Sequence, residues 1–151
     1  MSHIMTYNVL NYKKTQPGMA KEPTYGSDEA AGADLYAAES AVIEPGDVRM
    51  IDTGIAVEIP ENHFGGIFPR SGLATKRGLR LANCVGVIDS DYRGSIKVAL
   101  FNDSDRIQEI EVGERIAQII IIPYIRTHYV EVKDLSTTIR GEGGFGSTGI
   151  K

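Results

Sequence analysis

Four stretches of the chain concentrate groups able to meet an anion or move a proton. In "FPRSGLATKRG", Phe68 to Gly78, Pro69 fixes the approach to Arg70, and Ser71 with the amide of Gly72 stands where a helix start could hold phosphate. An ordinary strand-to-helix turn with a satisfied cap would read the same way. In "NCVGVIDSDYRG", Asn83 to Gly94, Gly86 lets backbone approach a ligand closely, and Asp89 and Asp91 flank a turn with Tyr92 beside them. Those two acids are either turn formers or ligand-facing groups. In "AAGADLYAA", Ala30 to Ala38, Asp34 is the only charge among small and apolar residues, so it needs partners, structural or ligand. The fourth stretch is "RGEGGFGSTG", Arg140 to Gly149, where glycine amides, the hydroxyls of Ser147 and Thr148 and the charge of Arg140 could close around an anion. Gly141 and Gly146 have the spacing of a Walker A loop. However, Ser147 stands where that motif requires Lys, and only Ile150 and Lys151 follow Gly149, too few for the helix a P-loop needs. Phe145 argues against a merely solvated tail, because an isolated aromatic of this kind usually has somewhere to dock.

The elements that must position these residues read as strands. Apolar residues alternate in "VRMIDTGIAVEI" (Val48 to Ile59), "SIKVALF" (Ser95 to Phe101) and "YVEVKDL" (Tyr129 to Leu135), the period of half-buried strands. Turn signals at "EPGD", "PENHFGG", "DYRG" and "NDSD" separate strand-like runs, and "NCVGVIDSDYRG" reads as a hairpin. One helix about two turns long is expected from Ser71, as N-cap, to a left-handed stop at Gly78. "IAQIIIIPYI", Ile116 to Ile125, is β-branched nearly throughout and reads as a strand buried on both faces, either in a deep core or against another subunit. From about Thr137 the apolar content collapses, so residues 137–151 should form a mobile arm. The expectation is an all-β antiparallel sandwich or barrel with one short helix. With 151 residues, 42% of them hydrophobic, residues 1–151 suit a single domain.

Bulk properties narrow the function. A formal net charge of -4 argues against a broad footprint on nucleic acid, so an anionic ligand must be met by a local cluster of Arg, Lys or metal. The single cysteine, Cys84, cannot form an internal disulfide, which suits a reducing, cytoplasmic setting. The longest apolar run is too short to span a bilayer, and no membrane partner is expected. His63 and His128 lie far from any second ligand in a zinc pattern. The opening "MSHIM" is too short in apolar residues for a signal peptide and reads as a tag remnant over residues 1–4.

Taken in order, "AGADLYAA", "PRSGLA", "GVIDSDYRG", "GERIAQI" and "RGEGGFGSTG" resemble the five motifs of the trimeric deoxyuridine triphosphatases, from about Ala31 to Gly149. The resemblance implies a jelly-roll-like subunit, a homotrimer with active sites at subunit interfaces, and hydrolysis of dUTP to dUMP and pyrophosphate with magnesium. It would lower dUTP and supply dUMP for thymidylate synthesis. The arm, which has no helix behind it, would fold over a site formed by other subunits. Asp89 resembles the general base that directs water onto the α-phosphorus. Asn83 and the backbone of Gly86, Val87 and Ile88 would meet the edge of uracil, and Tyr92 would lie under the deoxyribose and reject a 2'-hydroxyl. Arg70, Ser71 and Gly72 would hold phosphate oxygens, and Gln118 would reach the phosphates or the attacking water. Arg140, Gly146, Ser147 and Thr148 would clamp the outer phosphates, with Phe145 stacked on uracil. Magnesium would be held by phosphates and water rather than by direct protein ligands, with Asp34 in support. Two rival functions are a dCTP deaminase of the same fold, which needs an acid–base group such as Glu that the Asn83–Gly94 segment does not offer, and a nucleotide-sensing regulatory protein.

Overall fold

The computed structural model describes residues 8–149, so the expected remnant at residues 1–4 lies outside the described residues. The strands are β1 (Tyr12–Lys14), β2 (Thr24–Tyr25), β3 (Ala33–Tyr36), β4 (Ala41–Ile43), β5 (Val48–Asp52), β6 (Ile55–Val57), β7 (His63–Phe68), β8 (Leu79–Leu81), β9 (Gly86–Ile88), β10 (Lys97–Asn102), β11 (Gln108–Ile110) and β12 (Arg115–Pro123); the one helix, α1, runs Ser71–Arg77. A five-stranded sheet has the order β2-β3-β12-β7-β9, a three-stranded sheet the order β5-β10-β8, and β1-β6 and β4-β11 form two-stranded ribbons. Every pairing is antiparallel. The alternating run from Val48 to Ile59 does form strands, but Gly54, at a positive φ of 66°, breaks it into β5 and β6.

Between the sheets lie Leu35, Ile43, Ile51, Ile55, Ile67, Leu79, Ile96, Leu100, Ile110 and Ile116, all fully buried. Each contributes about 1.5–3 kcal/mol by leaving water. Two polar side chains, Thr53 and Asn102, are buried with them, and the Thr53 hydroxyl donates to the Ile96 carbonyl at 2.7 Å. The Nδ2 of Asn102 donates to the carbonyls of Ile43 (2.8 Å) and Arg106 (2.7 Å), and its Oδ1 accepts from the amide (3.0 Å) and hydroxyl (2.7 Å) of Ser104. Asn102 thus ties β10 to β4 and to the turn before β11 with its hydrogen-bonding capacity used.

Three sequence expectations need correction. Tyr129–Leu135 forms no strand; the chain after Pro123 has no strand among the described residues and leaves Tyr129, Val130 and Leu135 exposed, because no sheet edge of its own chain pairs with it. β12 is not buried along its whole length: Ile116, Ala117 and Ile119 are covered, whereas Ile121 is 37% exposed. The Asn83–Gly94 segment is not a hairpin, because β9 pairs with β7 while the preceding β8 and the following β10 pair with each other in the other sheet. It is a loop that leaves one sheet, adds an edge strand to the second and returns. Among the described residues, no helix is long and apolar enough to cross a membrane.

Candidate active site

The phosphate-type residues converge where three strands run side by side. In the register of the large sheet Gln118 lies opposite Asp34 on one side and Phe68 on the other. Pro69, Arg70 and α1 follow directly from Phe68. The row therefore brings the "AGADL", "PRSG" and "GERIAQ" stretches to one rim, where Gly32, Asp34, Arg70, Ser71, Gly72 and Gln118 line a cleft of about 230 Å3.

Asp34 organises this rim. Its side chain is only 14% exposed; Oδ1 accepts from Arg70 Nε at 3.1 Å and Oδ2 faces Arg115 Nε at 3.7 Å. The carboxylate is thus satisfied by two guanidinium groups, as a largely buried charge requires. Arg70, held at Nε and donating from Nη1 to the Arg115 carbonyl at 3.5 Å, keeps Nη2 for a ligand. Gln118 is held as well: its Nε2 donates to the carbonyl of Pro69 at 3.0 Å. Sequence reasoning did not assign Arg115, although it stands in the quoted "GERIAQI" three residues before Gln118.

α1 begins one residue away from expectation. Arg70, with extended φ and ψ, occupies the N-cap position without a side-chain cap bond, and Ser71 is the first helical residue. Ser71 is therefore not spent as a cap. Gly78 ends the helix as expected, in the left-handed region at φ 66°. Arg77, in the last turn, bonds Glu114 Oε2 at 2.9 Å and Gln108 Oε1 at 3.1 Å, and Glu114 Oε1 accepts the amide of Glu111 at 2.8 Å. These bonds fasten the helix to the turn leading into β12, so the loop bearing Arg70 and the strand bearing Gln118 are held in one frame. Neither Arg77 nor Glu114 was singled out from sequence, since the pairing spans 37 residues.

A second cluster surrounds the turn after β9. Met50, Val87, Ile88, Asp89, Tyr92, Ser95 and Lys97 line a cleft of about 270 Å3 in which the Asp89 carboxylate is exposed. The turn is closed by the Tyr92 amide on the Asp89 carbonyl (3.1 Å) and by Arg93 on the Ser90 carbonyl (2.7 Å). Tyr92 donates its hydroxyl to the Ser95 carbonyl at 3.0 Å, and its ring lies over Gly94, where a Cβ would come within 2.6 Å of the ring carbon Cζ. Asn83 is exposed beside Gly86 on the approach to this cleft.

The third cluster is the arm. Arg140 Nε donates to the Gly143 carbonyl at 2.6 Å and the Ser147 amide to the Gly144 carbonyl at 2.9 Å. Arg140, Gly143, Gly144, Phe145, Gly146, Ser147 and Thr148 enclose a hollow of about 560 Å3 by themselves, and the Phe145 ring is fully exposed. The arm thus coils on itself.

The first two clusters leave the large sheet at different points along β7. Ile88 lies opposite Gly65, so Asp89 leaves the sheet there, while Arg70 leaves it beyond Phe68. About 10 Å of strand, at roughly 3.3 Å per residue, separates the two exits. Among the described residues no three His, Cys, Asp or Glu side chains gather as a metal cage.

Comparison with known proteins places these features in a family. The family profile described as dUTPase matches residues 19–149. The deoxyuridine 5'-triphosphate nucleotidohydrolase of Hydrogenobaculum sp. (strain Y04AAS1) is 50% identical over 130 residues, 85% of this chain and 90% of that protein. A mutant dUTPase of Staphylococcus bacteriophage 80alpha, solved with dUpNHpp, superposes with a TM-score of 0.87 at 31% identity, covering 95% of this chain and all (100%) of that one. A mutant dUTPase of phage phi11 of S. aureus, described for its coordination of a structural Mg(II) ion, gives a TM-score of 0.76 at 27% identity over 84% of this chain and 98% of its own. The fold is accordingly jelly-roll-like as well as nearly all-β.

Proposed function

The chain belongs to the dUTPase family and hydrolyses dUTP, and from that premise we propose that it does so at sites assembled from several copies, with Asp89 as the base. The observation that carries the assembly is the arm: its hydrogen bonds run within residues 138–149 and the Phe145 ring is fully exposed. A homotrimer brings the Asp89 turn of one copy to the Arg70 rim of another, and the arm, which finds no seat on its own chain, closes the site from a neighbour.

At such a site Arg70, Ser71 and Gly72 hold phosphate oxygens, with Asp34 fixing the Arg70 fork at Nε. Gln118 supports the same loop through the Pro69 carbonyl and faces the phosphates. Asp89 takes a proton from a water aimed at the α-phosphorus, so that the bond to the β-phosphate oxygen breaks and dUMP and pyrophosphate leave. The backbone of Gly86, Val87 and Ile88 with Asn83 reads the uracil edge. A cytosine there leaves buried donors and acceptors unpaired, a penalty that can reach roughly four orders of magnitude. Tyr92, braced by Gly94 and the Ser95 carbonyl, packs under the sugar. Arg140, Gly146, Ser147 and Thr148 clamp the outer phosphates and Phe145 covers the base.

The donor set of the rim fits magnesium held by substrate: its one carboxylate, Asp34, is already engaged by Arg70 and Arg115. Phosphate oxygens and water would therefore hold the ion, with Asp34 supporting its water shell, as suits an ion that dehydrates reluctantly. When bound it neutralises triphosphate charge that a protein of net charge -4 does not otherwise offset. The exposed, unpaired Cys84 supports a reducing intracellular setting.

The test is product analysis. The protein incubated with magnesium and either dUTP or dCTP should release pyrophosphate from dUTP alone. Ammonia from dCTP would establish a deaminase instead, and nucleotide binding without either product would establish a sensor.

A further inference from the structure

Resting on the reading of Gln118 and the Arg70 loop as phosphate-side machinery, we propose that Gly32 is a positioning residue: its missing side chain is the slot that seats the Gln118 amide. Gly32 lies just before β3, two residues ahead of Asp34, and Gln118 lies directly opposite Asp34. Gly32 is therefore the diagonal neighbour of Gln118, within reach of a long side chain. A Cβ built on Gly32 would stand 3.0 Å from Gln118 Cδ and 3.1 Å from its Cβ, and would overlap Oε1. The amide thus occupies the volume that any other residue at position 32 would fill.

Backbone conformation does not explain this glycine. The glycines at positive φ are Gly46, Gly54, Gly78, Gly113, Gly141, Gly146 and Gly149, and Gly32 is not among them. Alanine could adopt its φ without strain. What alanine could not do is leave Gln118 in place. The Gln118 amide is trapped between Gly32 on one side and the Pro69 carbonyl on the other. Pro69 is the residue whose carbonyl carbon is bonded to the Arg70 nitrogen. Expelling the amide releases the peptide from which Arg70, Ser71 and Gly72 depart, and turns Gln118 into the cleft those residues line. Residue 32 therefore acts on the phosphates through two others: its size decides where Gln118 sits, and Gln118 decides how the Arg70 loop is held.

The experiment is a double-mutant cycle on the full chain, read by pyrophosphate release from dUTP with magnesium. Gly32→Ala should lower kcat by about 10–100-fold, the scale of an ångström misplacement, with an unchanged far-UV circular dichroism spectrum. Gln118→Ala should also lower kcat. In Gln118→Ala the overlap is gone and only the contact with Cβ remains, so adding Gly32→Ala should cost no more than about another twofold, a non-additivity expected of directly coupled neighbours. A purely structural glycine would give losses that multiply. If Gly32→Ala alone fails to fold, the double variant should fold, since removing the amide removes the obstruction; failure of both to fold overturns the assignment. So does a Gly32→Ala protein with wild-type kcat and KM, or multiplied losses. A wild-type protein inert toward dUTP would instead remove the activity on which this inference rests.

Discussion

Two inactive variants should restore each other when their chains share an assembly. Asp89→Asn removes the proposed base, a loss of about 10²–10⁴-fold in turnover. Arg70→Ala removes the phosphate cation but leaves Arg115 facing Asp34 at 3.7 Å, so the rim keeps a partner for its carboxylate and the fold should survive. On one chain Asp89 leaves the sheet after Ile88, opposite Gly65, and Arg70 leaves it beyond Phe68, and the proposed site takes the two from different copies. If each site takes Asp89 from one copy and Arg70 from another, random assembly of equal amounts leaves each group intact with even odds, so about one quarter of sites are whole in a closed symmetric oligomer. The assay is pyrophosphate release at constant total chain concentration, after joint refolding of the two variants and isolation of the oligomer by size exclusion. About a quarter of wild-type turnover is expected. A mixture no more active than the better parent, in oligomers shown by mass to contain both chains, would refute the shared site, because a site confined to one chain is never whole in such a mixture.

Truncation after Ile139 should leave the circular dichroism spectrum and the number of chains per oligomer unchanged, because the arm's hydrogen bonds run within residues 138–149, while dUTP turnover falls to a small residue. Tyr92→Ala should raise kcat/KM for UTP relative to dUTP, whereas Tyr92→Phe, which keeps the ring and loses only the bond to the Ser95 carbonyl, should retain discrimination at a stability cost of about 1 kcal/mol. Asn102→Ala strands the Ile43 and Arg106 carbonyls and the Ser104 amide. It should lower the free energy of urea unfolding by about 2–3 kcal/mol without changing kcat of the folded protein.

Much of the site was legible in the sequence because its chemistry is local. "PRSG" announces a cation, a hydroxyl and an unhindered amide in one turn, and Gly78 announces the end of the helix behind them. The supports were not legible, because they are non-local: Asp34 reaches Arg70 across 36 residues, Gln118 reaches Pro69 across 49, and Arg77 reaches Glu114 across 37. No periodicity in the chain encodes such pairings; only the β3-β12-β7 register brings them together. The hairpin expected around Asp89 failed for the same reason, since apolar runs separated by a turn do not reveal which sheet each joins.

The expected strand at Tyr129–Leu135 and the expected double burial of Ile116–Ile125 failed in a different and more informative way. Alternation of apolar residues is a statement that one face requires cover, and it is silent about which chain supplies it. Tyr129, Val130, Val132 and Leu135 are exposed on this chain, as is Ile121 near the end of β12. In β10 the same alternation is covered within the chain, with Val98 and Leu100 buried, whereas β5 pairs with it register for register from Lys97 opposite Asp52 to Phe101 opposite Val48 and still leaves Val48 and Met50 exposed. Alternation alone therefore does not tell which apolar faces a single chain covers. One chain suffices to bury the core around Leu35, Ile51 and Ile116, while the proposed site draws its base and its phosphate cation from different copies.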